Sequence, residues 1–105
     1  MNIGILGTGF MGKMHAQKYK QIPDVNIIGM AGRDVTRTNE IASSIGTIAF
    51  PNPYDLIMEK SVDAIDICLP SKVHTEYVIE ALKAGKHIFC ETPLTYELED
   101  AEKIR

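Results

Sequence analysis

Short hydrophobic runs alternate along the chain with amphipathic stretches. Five runs are apolar and rich in β-branched residues, and each predicts a strand: residues 3–6, 25–31, 47–50, 63–69 and 87–90. Helical spacing or capping residues predict helices at residues 12–22, 34–45, 53–59, 71–85 and 98–105, the last cut short by the chain end. Strict alternation with near-continuous apolar strands predicts a parallel sheet covered by helices on both faces, a three-layer, doubly wound α/β fold of the Rossmann type.

Several helix boundaries are predicted by individual residues. Asp34 is placed to cap the second helix, and Gly46 closes it. Pro53 stands at the first turn of the third helix, where proline is favoured. Ser71 is placed to cap the fourth helix, which is expected to close at Gly85.

Composition narrows the class of protein. The chain has 105 residues, which suits one domain, and its 45% apolar and 24% charged content is typical of a soluble globular protein. A net charge of −3 counts against nucleic acid and anionic membrane as partners. No run approaches a membrane span, and the N-terminus lacks a signal-peptide pattern. We therefore expect a cytoplasmic protein in which Cys68 and Cys90 are buried thiols.

The first loop carries a phosphate-binding pattern, G-x-G-x-x-G, between the first strand and the first helix. Gly7 allows the tight turn, Gly9 lets a pyrophosphate approach the backbone, and Gly12 allows close packing of the helix. The amides around Phe10 and Met11 would face the phosphates at the positive end of the helix. The predicted phosphate-binding residues are Gly7, Thr8, Gly9, Phe10, Met11 and Gly12. The alternative is a plain glycine-rich turn.

The end of the second strand is the position that selects between NAD and NADP. An Asp or Glu there accepts hydrogen bonds from the ribose 2′-hydroxyl of NAD. Here Gly32 occupies that place and Arg33 follows, so there is room and a guanidinium for a 2′-phosphate. Asp34 comes too late and fits a helix cap better. The sequence favours NADP over NAD; the alternative is that Arg33 is a solvated loop residue.

The fourth and fifth strands also end in residues of interest. Leu69, Pro70 and Ser71 form a turn that the proline makes rigid, and His74 follows in the first turn of a helix. Glu91 comes directly after the fifth strand. The alternatives are that His74 is a helix-surface residue and that the Glu91 carboxylate accepts hydrogen bonds from nearby amides.

Taken together, these motifs resemble the N-terminal dinucleotide-binding domain of the Gfo/Idh/MocA oxidoreductases, the family of glucose-fructose oxidoreductase and inositol dehydrogenase. The resemblance covers essentially the whole chain. Its marks are the glycine motif with His15 and Ala16, residues 62–70, His74, residues 81–88, and the segment Cys90-Glu91-Thr92-Pro93-Leu94.

The resemblance implies a function and further site residues. It places the turn from Leu69 to His74 near the nicotinamide ribose, and Glu91 and Pro93 near the nicotinamide. The implied reaction is reversible hydride transfer between a sugar or polyol carbon and the nicotinamide C4 of NADP or NAD. The implied assembly is a homo-oligomer.

Two departures limit what is carried over. The family has a lysine, thought to assist proton transfer, where this chain has Thr92, an uncharged and poor acid or base. Family members also continue into a C-terminal domain that supplies most of the substrate pocket, and we expect it to be absent from residues 1–105. No catalytic residue is therefore predicted. No metal site is predicted either, because His15, His74 and His87 show no ligand spacing with cysteines or acids.

Two other functions stay open. The chain could be a non-catalytic nucleotide-binding module that acts as a cofactor sensor or a partner subunit, which Thr92 favours. It could also be a structural domain with an empty cleft.

Residues 1–105 alone are expected to show no dehydrogenase turnover with any sugar or polyol, and Thr92→Lys is not expected to restore it. A proton-transfer group without a substrate pocket has nothing to act on. The measurement is NAD(P)H absorbance over time, with a cofactor titration of the same sample as the control for folding. Cofactor reduction by either protein would contradict this expectation.

Overall fold

The computed structural model describes residues 1–7, 9–69 and 74–90. It contains a parallel sheet of four strands, and its strands and helices are named in chain order. The strands are β1 (Asn2–Leu6), β2 (Asn26–Ala31), β3 (Ala64–Ile67) and β4 (His87–Cys90). The helices are α1 (Phe10–Tyr19), α2 (Val35–Ile45), α3 (Pro53–Met58) and α4 (His74–Lys83).

The order of the strands is β2-β1-β3-β4, and every pair is parallel. The chain therefore moves outward from β1 to β2 and then crosses to the other side of β1 to form β3. Leu6 pairs with Ala31 on one side and with Ile67 on the other, so the carboxyl ends of three strands meet at one edge. This confirms the predicted Rossmann-type α/β fold and gives the switch in strand order at which such folds bind ligands.

The core lies in two layers because successive side chains of a strand point to opposite faces of the sheet. Ile3 and Ile5 pack with Met30 and Ala16 on the face that α1 and α2 cover. Leu6, together with Ile65 and Ile67 of β3, packs on the other face against residues of α3 and α4. Burial on both faces explains why the strands appear in the sequence as nearly unbroken apolar runs.

The prediction of a sheet strand at residues 47–50 is wrong. The segment forms one isolated bridge, Met30 with Ala49, through hydrogen bonds from Met30 N to Ile48 O (2.9 Å) and from Phe50 N to Met30 O (2.8 Å). Pro51 follows directly and has no N–H with which to extend the ladder. The segment therefore only touches the outer side of β2.

The predicted helix caps are confirmed where the structure describes them. Asp34 Oδ1 accepts a hydrogen bond from Arg37 N at 3.1 Å, and Gly46 ends α2 in the left-handed conformation with a φ of 88°. Pro53 opens α3, and Asn52 caps it by accepting from Tyr54 N at 2.9 Å. Ser71 and the helix predicted at residues 98–105 lie outside the described residues. Among the described residues, no helix is long and apolar enough to span a membrane.

Asp34→Ala is expected to lower the free energy of unfolding by about 1 kcal/mol, because the first turn of α2 loses its side-chain cap. Asp34→Asn is the matched control: it keeps an acceptor oxygen and should lose less. Urea unfolding of the three proteins measures the difference. Equal stability of Asp34→Ala and the unchanged protein would show that the cap does not contribute.

Candidate functional site

The turn after β1 is packed too closely to accept side chains at two of its glycines. Gly7 has a φ of 111°, and a Cβ there would lie 2.5 Å from Cys68 O at the end of β3. Its N–H donates to Ala31 O at 2.7 Å, at the end of β2. A Cβ on Gly12 would lie 2.0 Å from Gly7 O. The turn and the start of α1 are therefore held against the carboxyl edge of the sheet, as the sequence predicts.

Gly9, in contrast, faces open space. It is the exposed N-cap residue of α1, its backbone is extended, and a Cβ there would meet nothing within 4 Å. Its carbonyl accepts from Lys13 N at 3.1 Å, the first helical hydrogen bond. No side chain of the described residues caps α1, and its first turn contains no acid. The amides that begin α1 are thus open to an anion above Gly9, which is the chemistry of a phosphate site.

A pocket of about 240 Å³ lies at the same edge of the sheet. It is lined by Gly32 and Arg33 from the end of β2 and by Leu69 from the end of β3. The structure thus brings together three of the predicted site residues that are far apart in the sequence. Thr8, Pro70, Ser71, Glu91, Thr92 and Pro93 lie outside the described residues, and His74 is described only as the first residue of α4.

Two of the predicted site residues follow the end of β2. Gly32 is buried, and Arg33 is exposed. Among the residues that the structure describes, none forms a hydrogen bond or ion pair with the Arg33 guanidinium. The carboxylate of Asp34 is already used by the amide of Arg37. Asp34, the acid nearest to Arg33 in the sequence, is therefore turned to the start of α2, and the exposed guanidinium lies at the rim of the pocket.

The far wall of the pocket contains residues that sequence reasoning missed. Pro51, Pro53 and Tyr77 complete the lining. The Tyr77 ring lies beside that of Tyr54, with centroids 5.3 Å apart, and the Tyr54 hydroxyl donates to the Glu76 carboxylate. That hydrogen bond raises the pKa of Tyr54 to about 12 and joins α3 to α4. The only sequence signal for this wall was the pair of prolines.

A larger pocket, of about 520 Å³, lies at the opposite edge of the sheet. Two of its charged residues, Asp63 and Lys86, hold segments of the chain together. Asp63 accepts from Asn2 N at 2.8 Å, and Lys86 Nζ donates to Glu59 O and Val62 O. Because ligands of parallel α/β sheets bind at the carboxyl ends of the strands, the smaller pocket beside the glycine turn is the functional candidate.

Beneath the glycine turn lies a group of polar side chains that we call the Asp66 cluster: His15, Tyr19, Asp66 and Cys68. His15 Nδ1 lies 2.6 Å from Asp66 Oδ2, and Tyr19 donates to the same oxygen at 2.6 Å. Cys68 Sγ lies 3.3 Å from His15 Nδ1 and donates to Asp66 Oδ1 at 3.4 Å. Cys68 is half-buried, not fully buried as expected.

His15 lies close to a cysteine and an acid although no ligand spacing in the sequence connects the three residues. Residues 66 and 68 point to the same face of β3, and that face meets α1, so three potential ligand atoms lie within 4.8 Å of one another. Two ligands of one tetrahedral zinc ion lie about 3.3 Å apart. The 2.6 Å between His15 and Asp66 is the shorter distance of a hydrogen bond. The cluster as it stands is a hydrogen-bonded one, and the prediction of no metal site stays a prediction.

A four-stranded parallel sheet with an uncapped helix start and a pocket at its switch point defines a dinucleotide-binding domain of the Rossmann type. Comparison with known proteins identifies the family. The matching family is GFO_IDH_MocA, described as "Oxidoreductase family, NAD-binding Rossmann fold", and its match covers residues 1–105. The chain belongs to the Gfo/Idh/MocA family, and the match is to its NAD-binding Rossmann fold, which confirms the resemblance.

Individual relatives support the assignment to this family. A myo-inositol 2-dehydrogenase of Thermotoga maritima is 35% identical over 105 residues, and a UDP-N-acetylglucosamine 3-dehydrogenase of Acidithiobacillus ferrooxidans is 34% identical over 104 residues. Each match covers 99% of this chain, and 31% and 32% of the relatives. The crystal structure of a probable dehydrogenase from Thermotoga maritima superposes with a TM-score of 0.93 at 34% identity, covering 99% of this chain and 32% of that one. The chain thus spans about a third of the length of these relatives.

Gly9→Val is expected to abolish dinucleotide binding without unfolding the protein. Its backbone suits an L-residue and its Cβ meets no atom, but the side chain fills the space above the helix start. Gly12→Val is the contrasting variant, since its Cβ collides with the Gly7 carbonyl and should lower both stability and binding. Urea unfolding and cofactor fluorescence titration measure the two effects. Unchanged affinity in a folded Gly9→Val protein would mean that this turn holds no phosphate.

Tyr54→Phe is expected to remove a phenol whose pKa the hydrogen bond to Glu76 raises to about 12. In the folded protein Tyr54 loses its proton near pH 12, whereas in the unfolded chain it does so near 10. Its contribution to stability is therefore complete below about pH 10 and is lost as the pH rises through about 12. Phenolate absorbance against pH, compared with Tyr77→Phe, measures this. If Tyr54→Phe leaves the high-pH part of the curve unchanged, the Glu76 hydrogen bond is not formed in solution.

Proposed function

We propose that this chain is the cofactor-binding part of an NAD(P)-dependent oxidoreductase that transfers a hydride between a sugar or polyol carbon and the nicotinamide C4. The observation that supports this best is the joint position of two features. The open helix start at Gly9 and the pocket lined by Gly32, Arg33 and Leu69 lie at one edge of the sheet, beside the switch in strand order. In Rossmann domains the pyrophosphate of a dinucleotide binds at the start of the first helix, and the adenosine ribose binds at the end of the second strand.

In this proposal the chain binds and orients the cofactor, and the bound nicotinamide supplies the hydride chemistry. The pyrophosphate would lie over Gly9, against the first amides of α1. The adenosine ribose would lie at Gly32 and Arg33. The substrate class is taken from relatives, whose names refer to inositol and to a UDP-linked sugar.

NADP is the proposed preference. A 2′-phosphate needs space and positive charge, and the end of β2 offers both: a residue without a side chain at Gly32 and an exposed guanidinium at Arg33. It also needs the absence of a repelling carboxylate. Asp34 lies two residues beyond Gly32 but is engaged at the start of α2.

The nicotinamide half of the cofactor is proposed to lie at the end of β3 and beyond. Leu69 already lines the pocket there. Pro70, Ser71, His74, Glu91 and Pro93 are the remaining proposed contacts of this half, on the basis of the family resemblance, and Thr8 is a proposed contact of the phosphate-binding turn. They stay predictions, as does the expected homo-oligomer.

A non-catalytic cofactor sensor or partner subunit is the second candidate, because Thr92 stands where the family has its lysine. Both candidates require cofactor binding, so a binding assay does not separate them. A search for cofactor reduction by the full-length gene product, with inositols and nucleotide sugars, does; residues 1–105 alone are expected to show no turnover in either case. Turnover supports the oxidoreductase, and tight binding with no turnover on any of them supports the sensor.

Arg33→Ala is expected to weaken NADPH binding by about 1–3 kcal/mol, the loss of a charged hydrogen-bonding partner, and to leave NADH binding nearly unchanged. Arg33→Lys is the matched control, because it keeps the charge but loses the paired donors and should fall between. Calorimetric titration of all three proteins with both cofactors measures this. Equal or tighter binding of NADH by the unchanged protein would overturn the proposed preference for NADP.

A further inference from the structure

The middle of β3 carries a carboxylate inside the sheet. Asp66 is 0% exposed, and its neighbours in register are Ile5 of β1 and Phe89 of β4. Burial of an ionised carboxylate is costly unless several hydrogen bonds compensate it. The presence of an aspartate in a buried parallel strand therefore needs an explanation, and its hydrogen-bond partners provide one.

Both strong partners of Asp66 lie on α1. His15 Nδ1 and the Tyr19 hydroxyl each lie 2.6 Å from Oδ2. An ionised carboxylate only accepts, so both groups donate. His15 and Tyr19 are four residues apart and share one face of the helix. One buried oxygen thus joins two successive turns of α1 to the centre of the sheet.

Apolar packing holds α1 less well than it holds the neighbouring helix. Among the α1 side chains that the structure describes, Ala16 is the one fully buried apolar group. By contrast, α2 buries Ile41, Ala42 and Ile45. The hydrogen bonds to Asp66 therefore have a larger part in attaching α1 than they would in a helix with the apolar contacts of α2.

The Asp66 cluster also reaches the glycine turn itself. Cys68 donates its Sγ to Asp66 Oδ1, and its carbonyl lies where a Cβ on Gly7 would collide. Its N–H donates to Leu6 O at 2.7 Å, at the end of β1. The cluster thus connects, through adjacent atoms, the body of α1 with the turn that precedes it.

We propose that Asp66 is a positioning residue for the dinucleotide. Through His15 and Tyr19 it fixes the height and direction of α1, so that the first amides of the helix point at the pyrophosphate. The proposal rests on the proposed function, since it assumes that the start of α1 binds the diphosphate of a dinucleotide. Its chemical target is the diphosphate group, not the adenine or the nicotinamide.

The cluster does not fit a cysteine nucleophile. A nucleophilic thiol needs a base that takes its proton. Here the nitrogen of His15 nearest to Cys68 is the Nδ1 atom that already donates to Asp66. The same atom cannot accept from the thiol while it holds its own proton, so the hydrogen-bonding role is the one that the geometry supports.

The first test compares affinities for ligands with and without a diphosphate. Asp66→Asn is expected to weaken NADPH and ADP-ribose binding by about tenfold, the effect of losing a charge-assisted hydrogen bond that holds the binding geometry. Adenosine binding is expected to stay within about twofold. His15→Leu should resemble Asp66→Asn, whereas His15→Asn keeps an N–H donor near the Nδ1 position and should restore most of the affinity. Tyr19→Phe keeps the ring and should have a smaller effect.

Asp63→Asn is the control for the same change of residue outside the cluster. The exposed Asp63 carboxylate accepts from Asn2 N at 2.8 Å, at the amino edge of the sheet. The asparagine keeps an acceptor oxygen for Asn2 N, so this variant should lose little stability and bind both classes of ligand unchanged. If Asp66→Asn lowers stability but leaves diphosphate affinity unchanged, Asp66 is merely structural and the proposal is overturned.

A second measurement does not depend on the cofactor. Hydrogen exchange of the ligand-free protein should show faster exchange of α1 amides relative to those of α2 in Asp66→Asn, and not in Asp63→Asn. Unchanged relative exchange of α1 would overturn the positioning role even if affinity falls. If the unchanged protein binds no dinucleotide, the proposed function fails, and exchange alone decides whether Asp66 positions the helix. If Asp66→Asn does not fold, His15→Leu and Tyr19→Phe provide both measurements.

Discussion

The close contact between the turn after β1 and the ends of the neighbouring strands constrains the rest of the structure. Gly7 is held by Ala31 O on one side and lies against Cys68 O on the other, and Gly12 lies against the carbonyl of Gly7. Backbone therefore meets backbone at Gly7 and at Gly12. This contact sets where α1 begins, and the start of α1 sets where an anion can bind. The pocket at the end of β2 lies at the same edge of the sheet.

Local chemistry was sufficient to predict most of this arrangement. The strands could be predicted because burial on both faces leaves uninterrupted apolar runs, as in residues 3–6. The boundaries of α2 could be predicted because Asp34 and Gly46 act on backbone groups within a few residues of themselves. The glycine turn could be predicted because the glycines that it needs occur at a fixed spacing in the sequence. In each case the residues that decide the structure are neighbours in the chain.

The rest depends on contacts across the fold. The segment 47–50 has the composition of a strand, but Pro51 and its place outside β2 limit it to one bridge. Tyr77 lines the pocket because α4 packs beside α3, and this contact is not visible in the local sequence. His15 and Asp66 are separated by 51 residues, and no spacing rule connects them. One signal was present in the sequence: an acid in the middle of an apolar strand needs a buried donor, and the helix after the glycine turn supplied a histidine and a tyrosine.

The engagement of the charged groups at the amino edge has an evolutionary consequence. Asp63 and Lys86 join chain segments there, while Arg33, at the other edge, contributes no hydrogen bond or ion pair within the described part of the chain. Substitutions at Gly32 and Arg33 therefore leave in place the cross-links that stabilise the fold. The rim of the pocket can change in sequence while the sheet stays the same, so proteins that share this sheet need not share the residues at its carboxyl edge.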